Sequence, residues 1–524
     1  MDIETDVLIV GAGPAGLATA ISLKRRGYSG RVVVIDKGRN VGSHVLSGAV
    51  IDPAGFRDLL TDEEIAKLPV DSHVNRESFR FILGAGASLP IPWVPPMMQA
   101  KGFPMGSLAK VVRYLADIAT RLGVEVYPGY AVTDLVEEDG VVVGARTGEK
   151  GVDSKGRPKS NHLPSEFVRA RVTVLAEGGA GMLTDRLIAE KGLAGRRPQS
   201  YAIAIKELVE LPSPVEGSGG TIMHTFGYPV DMGTYGGGFV YHVSDSHVMV
   251  GYALGLDYKD ASLDAHELFR RFKATKAVQA HIVGGKAVAY GAKVIPEGGF
   301  YAMPTPYAPG ALIVGDGAGL LDGLRIKGIH IALQSGIAAA EAIAAGSDGV
   351  GERYFNILKK TKGYREVKRV KNVHGGFTYG APFGVAMAGL AWATFGVLPF
   401  WMFGRRRKDS ETLRPLKRGA KKGSLPAVGV DRLTDVFMSG TVHEEDQPCH
   451  LKIVDAAKCV ECEIDFGSPC TRFCPAEVYR RTEDGIQMDF SNCLHCKTCK
   501  VKCPCGNVEW TFPQGGDGPR YTRL

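Results

Sequence analysis

Val7-Leu-Ile-Val-Gly11-Ala-Gly13-Pro-Ala-Gly16 is the stretch on which the fold turns. Four apolar residues that stop at a glycine-rich turn read as a buried parallel strand. The turn is a G-x-G-x-x-G motif. Its glycines permit a tight bend and close approach to a pyrophosphate held at the start of the next helix. The pattern predicts a helix to about Arg26 and a second strand, Arg31–Ile35, closed by Asp36. An acid at that distance can accept hydrogen bonds from a ribose. Two more stretches follow apolar strands, Ala176-Glu177-Gly178 and Gly315-Asp316-Gly317-Ala-Gly319. Together they favour an extended FAD over NAD, with Gly11, Gly13, Gly16, Asp36, Glu177, Gly178, Gly315 and Asp316 as its candidate contacts. The competing reading of Asp316 is a helix-capping acid. With no second G-x-G-x-x-G after a strand, a separate NAD(P)H domain is not expected.

At the other end of the chain, eight cysteines fall between Cys459 and Cys503. The second half, Cys493-x2-Cys496-x2-Cys499-x3-Cys503-Pro504, is the run of a bacterial ferredoxin, in which the fourth cysteine serves the other cluster. The first half, Cys459-x2-Cys462 and Cys470-x3-Cys474-Pro475, is a looser copy. The spacing assigns Cys474, Cys493, Cys496 and Cys499 to one [4Fe-4S] cluster. It assigns Cys459, Cys462, Cys470 and Cys503 to a second. Zinc also takes C-x2-C pairs, but the two Cys-Pro endings favour iron. Cys449 and Cys505 stand outside the array. Thiols reserved for metal point to a reducing compartment.

The 524 residues suffice for two or three domains, and 68 glycines suit close backbone approaches to a cofactor. A net charge of +7 without basic–aromatic interleaving argues against nucleic acid. No charged-then-apolar leader precedes the first strand, so no secretory signal is expected. The expected architecture is α/β: a Rossmann-like FAD-binding domain (1–196 and 311–380), a β-rich substrate domain (197–310) and a small ferredoxin-like domain (425–524). Residues 42–106 read as irregular, with Pro90–Met98 excluded from any central strand. Pro382–Phe403 is an uncharged run of 22 residues followed by Arg405–Lys408 and a basic stretch from Arg414 to Lys422. Residues 381–424 are therefore expected to dock a membrane surface. A single span or a buried core helix are the alternatives.

The chain resembles the electron transfer flavoprotein–ubiquinone oxidoreductase family over essentially its whole length. The resemblance is carried by Gly42-Ser-His-Val-Leu-Ser-Gly48, Tyr127-Pro-Gly-Tyr130, Thr234-Tyr-Gly-Gly237, Tyr290-Gly-Ala292, Arg325-Ile-Lys-Gly-Ile-His330, His443-Glu-Glu-Asp-Gln-Pro448 and Cys493-Leu-His-Cys-Lys-Thr-Cys499. It implies a soluble electron transfer flavoprotein as donor, a membrane quinone as substrate and a monotopic protein, which the basic stretches beside the apolar run place on the cytoplasmic face of the membrane. It further implies that Gly236 and Gly237 approach the quinone with Tyr235 beside them; a plain β-turn is the competing reading. Tyr235, a nearby histidine or water are the candidate proton donors. Cys474, Cys493, Cys496 and Cys499 match the family's single cluster. The other four have no counterpart in its usual members, so the second cluster rests on spacing, against inert remnants or a three-iron centre. Two rival functions share these features: a flavin-dependent reductase of isoprenoid double bonds, and a membrane-docked electron relay.

Overall fold

The computed structural model describes residues 3–346, 348–398, 407–416 and 430–524. Ile3–Val10 is a strand, Pro14–Arg25 the helix after the glycine turn, and Val32–Asp36 the second strand, so Asp36 is the last strand residue rather than the one beyond it. These strands centre a sheet ordered Tyr307–Ala308, Ala311–Ile313, Phe167–Leu175, Ile3–Val10, Val32–Asp36, Glu125–Pro128. All but the first of those strands run parallel. Parallel strands are covered on both faces, and Val7, Leu8 and Ile9 are accordingly wholly buried. The helix Pro14–Arg25 packs on Ile329–Ala344 through small residues. A Cβ on Gly336 would stand 2.2 Å from the Ala15 carbonyl oxygen, so only glycine permits that approach.

A second sheet of seven strands is ordered Lys286–Pro296, Tyr201–Glu210, His247–Gly255, Gly236–Ser244, Thr221–Gly227, Arg76–Gly84, Ala87–Ile91. Its last two strands correct the reading of 42–106 as irregular. Arg76–Gly84 pairs in parallel with Thr221–Gly227, a contact between segments far apart in sequence. Pro90 sits in the outermost strand, where its missing N–H breaks no ladder.

Residues 430–524 form two small antiparallel pairs, Leu451–Ile453 with Val508–Trp510 and Tyr479–Thr482 with Gly485–Met488, around short helices. This module shares a core with the second sheet, in which Ile203, Val240 and Tyr290 join Leu451, Phe473 and Trp510. Polar anchors reinforce the join. Tyr290 Oη donates to the Pro475 carbonyl at 2.9 Å, and the Val294 amide donates to the Cys496 carbonyl at 3.2 Å. The buried Lys502 amine donates to the carbonyls of Tyr258 and Asp409 and to Thr412 Oγ1.

Of the uncharged run, Ala381–Ala393 is a helix. No helix among the described residues is long and apolar enough to cross a membrane. Residues 399–406 and 417–429, with half of the first basic stretch and most of the second, lie outside the described residues.

Candidate functional site

A cavity of about 270 Å³ opens where the three modules meet. Gly13, Asp36 and Asp316 line it from the parallel sheet, Phe239, Tyr241 and Lys293 from the second sheet, and Lys497 and Trp510 from the cysteine module. Gly11, Glu177, Gly178 and Gly315 also reach it, so every predicted flavin contact except Gly16 borders one space.

The three glycines of the turn are bare for different reasons. A Cβ on Gly11 would meet the Ala176 carbonyl oxygen at 2.4 Å, and one on Gly16 the Gly11 carbonyl oxygen at 2.0 Å. A Cβ on Gly13 would meet no protein atom within 4 Å. The protein needs glycine at 11 and 16 for its own packing, whereas at Gly13 the empty space fits the pyrophosphate of a dinucleotide at a helix N-terminus. Cationic groups fit the same charge. Burial, then the Lys293 ammonium, pushes the Lys37 amine down to about 8. An anionic group in the cavity would relieve both.

The acids divide their work. Asp36 accepts from the Ala12 amide at 2.9 Å and the Gly38 amide at 2.8 Å, which ties the glycine turn to the end of the second strand. Glu177 accepts from the amides of Met182 and Thr184, at 3.0 and 2.7 Å, and from the Thr184 hydroxyl. Its carboxylate thus caps the helix Met182–Glu190, which begins at Gly181 with no side-chain cap of its own. Burial raises Asp316 to about 6, with Lys293 opposing.

The thiols form two groups. Cys474, Cys493, Cys496 and Cys499 are all buried around one small cavity against Trp510 and Leu451. His495 and Lys497 adopt left-handed backbone, φ 52° and 67°, unusual for residues with side chains. The Lys497 amine anchors that bend on the Ala180 carbonyl at 2.8 Å. Burial pushes the Cys474 thiol up to about 12, with the neighbouring Cys496 adding to the rise. Four thiolates this close in a buried space need a compensating cation, so the donor set fits an iron–sulfur cluster. Cys459, Cys462, Cys470 and Cys503 line a second cavity nearer the surface. Cys505, which the spacing left out, lines it too. None of the ten cysteines is in a disulfide.

Known families account for all three modules. Residues 426–522 match "Electron transfer flavoprotein-ubiquinone oxidoreductase, 4Fe-4S", 201–295 match "ETF-QO, ubiquinone-binding", and 6–84 match "FAD dependent oxidoreductase". The electron transfer flavoprotein-ubiquinone oxidoreductase of Pseudomonas aeruginosa is 36% identical over 99% of either chain. This chain belongs to the electron transfer flavoprotein–ubiquinone oxidoreductase family. The human mitochondrial member is also 36% identical, over 99% of this chain and 89% of its own. Among solved structures, a geranylgeranyl bacteriochlorophyll reductase-like protein of Thermoplasma acidophilum shares the fold. It has a TM-score of 0.56 and 17% identity, over 78% of this chain and 94% of its own. The flavin-dependent brominase Bmp2 does so at a TM-score of 0.51 and 20% identity, over 75% of this chain and 94% of its own. The isoprenoid-reductase rival thus shares an architecture with this family, which is why fold-level features in the sequence left it open.

Tyr235, Gly236 and Gly237 stand at the start of the strand Gly236–Ser244, inside the ubiquinone-binding match, and do not line the main cavity. Gly237 shares a sheet face with Phe239 and Tyr241, which do. Its Cβ would meet the Thr225 carbonyl oxygen at 2.7 Å, and that of Gly236 the Ala253 carbonyl oxygen at 3.0 Å. Strand packing therefore accounts for both glycines without a ligand. The Tyr235 ring packs edge-on to His374 at 5.3 Å and against Phe377 at 5.1 Å, in the segment leading to the helix Ala381–Ala393. Sequence reasoning missed Lys37, Lys293, Phe239, Tyr241 and Trp510. Lys497 carried a signal, because it lies inside the Cys493–Cys499 string, as did His44, Tyr130 and Lys327, which line the cavity from other quoted strings.

Proposed function

We propose that this chain takes electrons one at a time from a soluble electron transfer flavoprotein and delivers them to a membrane quinone through FAD and two [4Fe-4S] clusters. The observation that carries the reading is the shared cavity: Gly13, Tyr241 and Lys497 bring the dinucleotide turn, the quinone-matching sheet and the cysteine module to one space. When bound, FAD supplies the conversion between single electrons and the two-electron quinone couple. The chain's residues supply placement. Gly13 leaves room for the pyrophosphate, Phe239 and Tyr241 wall one side from water, and Lys497 ties the inner cysteine loop to the Ala180 carbonyl.

Cys474, Cys493, Cys496 and Cys499 would hold the inner cluster, and the second cavity the outer one. Tyr235, Gly236 and Gly237 would flank the quinone between Phe239 and the helix Ala381–Ala393. Burial raises the Tyr235 hydroxyl well above its ordinary value, so it keeps its proton and serves better as a hydrogen-bond donor than as an acid. Around that helix Phe383, Val385, Trp392, Phe395 and Val397 are exposed. Such a patch, beside a lysine- and arginine-rich sequence, fits peripheral docking on the cytoplasmic face of a membrane.

The test is anaerobic. Protein reduced with dithionite is mixed with a short-chain ubiquinone, and flavin absorbance is followed. Stoichiometric reoxidation is expected, and reduction by a reduced electron transfer flavoprotein should refill the same flavin. Reduced flavin that stays reduced with quinone would favour an isoprenoid reductase. Electron transfer between proteins with no quinol formed would favour a relay.

A further inference from the structure

The outer cavity holds one thiol more than a cubane needs. Cys459, Cys462, Cys470, Cys503 and Cys505 all line it, and a [4Fe-4S] cluster takes four. Three of the five are set. The Asn507 side-chain amide donates to Cys459 Sγ at 3.1 Å, and the Asn507 backbone amide donates to Cys503 Sγ at 3.3 Å. N–H donors aimed at sulfur are what a coordinating thiolate receives. Cys470 opens the short helix Cys470–Phe473 and packs against the buried core that holds Phe473. Cys462 and Cys505 remain: both line the cavity, and neither is held by Asn507 or packed against that core. Both are half-buried, whereas Cys503 is buried.

Their settings allow movement. Cys462 rides on the helix Ala456–Phe466, which has no buried residue. Cys505 lies between Pro504 and Gly506, the latter in left-handed backbone at φ 57°.

We infer that Cys462 and Cys505 share the fourth coordination position of the outer cluster, so that either thiol can complete it. This rests on the two-cluster reading above. In the exchange, the Cys505 thiol gives up its proton and bonds to iron as the Cys462–iron bond breaks and that thiolate takes up a proton. No electron changes hands. The consequence is an outer cluster, closest to solvent, that survives loss of one ligand.

The experiment measures iron per flavin, and the electron paramagnetic resonance of the reduced holoprotein, in the wild type and in Cys462→Ala, Cys505→Ala and the double variant. Alanine is used because serine can itself bind iron. Wild type and both single variants should hold about eight irons per flavin, and the double variant about four. At least one single variant should keep its iron while its outer-cluster signal shifts. A wild type with about four irons would overturn the two-cluster reading itself. Eight irons in the wild type, with about four in either single variant, would leave two clusters standing and overturn the sharing. So would a double variant that keeps about eight, or unshifted signals in both single variants. If the double variant fails to accumulate, iron content and signal of the single variants decide.

Discussion

Gly13 and Gly16 occupy one turn of one motif, yet the structure asks different things of them. At Gly13 the backbone is extended, φ −81° and ψ −176°, and a methyl group would point into the cavity. Gly13→Ala should therefore fold like the parent, within about 0.5 kcal/mol, and be purified with markedly less flavin. Gly16→Ala drives a methyl group into the Gly11 carbonyl oxygen and the Ile9 side chain. It should cost about 1–3 kcal/mol through overpacking and lower the yield of folded protein. The flavin-to-protein ratio and the urea midpoint separate the two. Equal flavin retention in both variants would count against a pyrophosphate at Gly13. The motif was legible in sequence, but the division of labour within it was not. Gly16 meets the Gly11 carbonyl inside the turn itself, Gly11 meets the carbonyl of the distant Ala176, and the open space at Gly13 exists only once the modules enclose the cavity.

At the scale of elements, Glu177 shows how an expected ligand can serve as a helix cap. Its carboxylate satisfies three amides at the start of Met182–Glu190 and the Thr184 hydroxyl, and a negative charge there also suits the helix dipole. Glu177→Ala should destabilise the protein by about 1–2 kcal/mol, with Glu177→Gln recovering part of the loss. Flavin affinity should change less than about threefold, since a loss of 1.4 kcal/mol would be tenfold. Denaturant midpoints and flavin titration give the two readouts, and a large loss of affinity at unchanged stability would return Glu177 to the flavin. The elements themselves were largely readable. The first strand, the helix after the glycine turn and the second strand follow the predicted pattern within a few residues. The strands Arg76–Gly84 and Ala87–Ile91 did not: the first joins the sheet through a partner beyond residue 220, and proline content spoke against the second, which pairs only with the first.

At the scale of the molecule, the cysteine module, the second sheet and the parallel sheet lock around one cavity, and the exposed apolar patch at 383–397 lies on the segment that touches Tyr235. That connection gives the membrane reading a direct test. Trp392 and Phe395 are 44% and 75% exposed, so replacing them removes little protein packing. Trp392→Asp and Phe395→Asp should each weaken sedimentation with anionic vesicles by about tenfold, because each withdraws a large side chain from the apolar layer. Reoxidation of the flavin by a water-soluble short-chain quinone should be unchanged. Unchanged vesicle binding in both variants would overturn docking through this helix. Local pattern alone pointed to flavin and iron–sulfur chemistry. A glycine turn after a buried strand and eight spaced cysteines are one-dimensional signals, since backbone geometry and ligand bite operate over a few residues. Assembly settled the rest: that Lys497 carries the inner thiols to the flavin cavity, that Phe239 and Tyr241 wall it, and that Cys505 joins the outer thiols. The first two arise from packing between segments hundreds of residues apart, the third from the folding of the cysteine module on itself, and no local pattern encodes them.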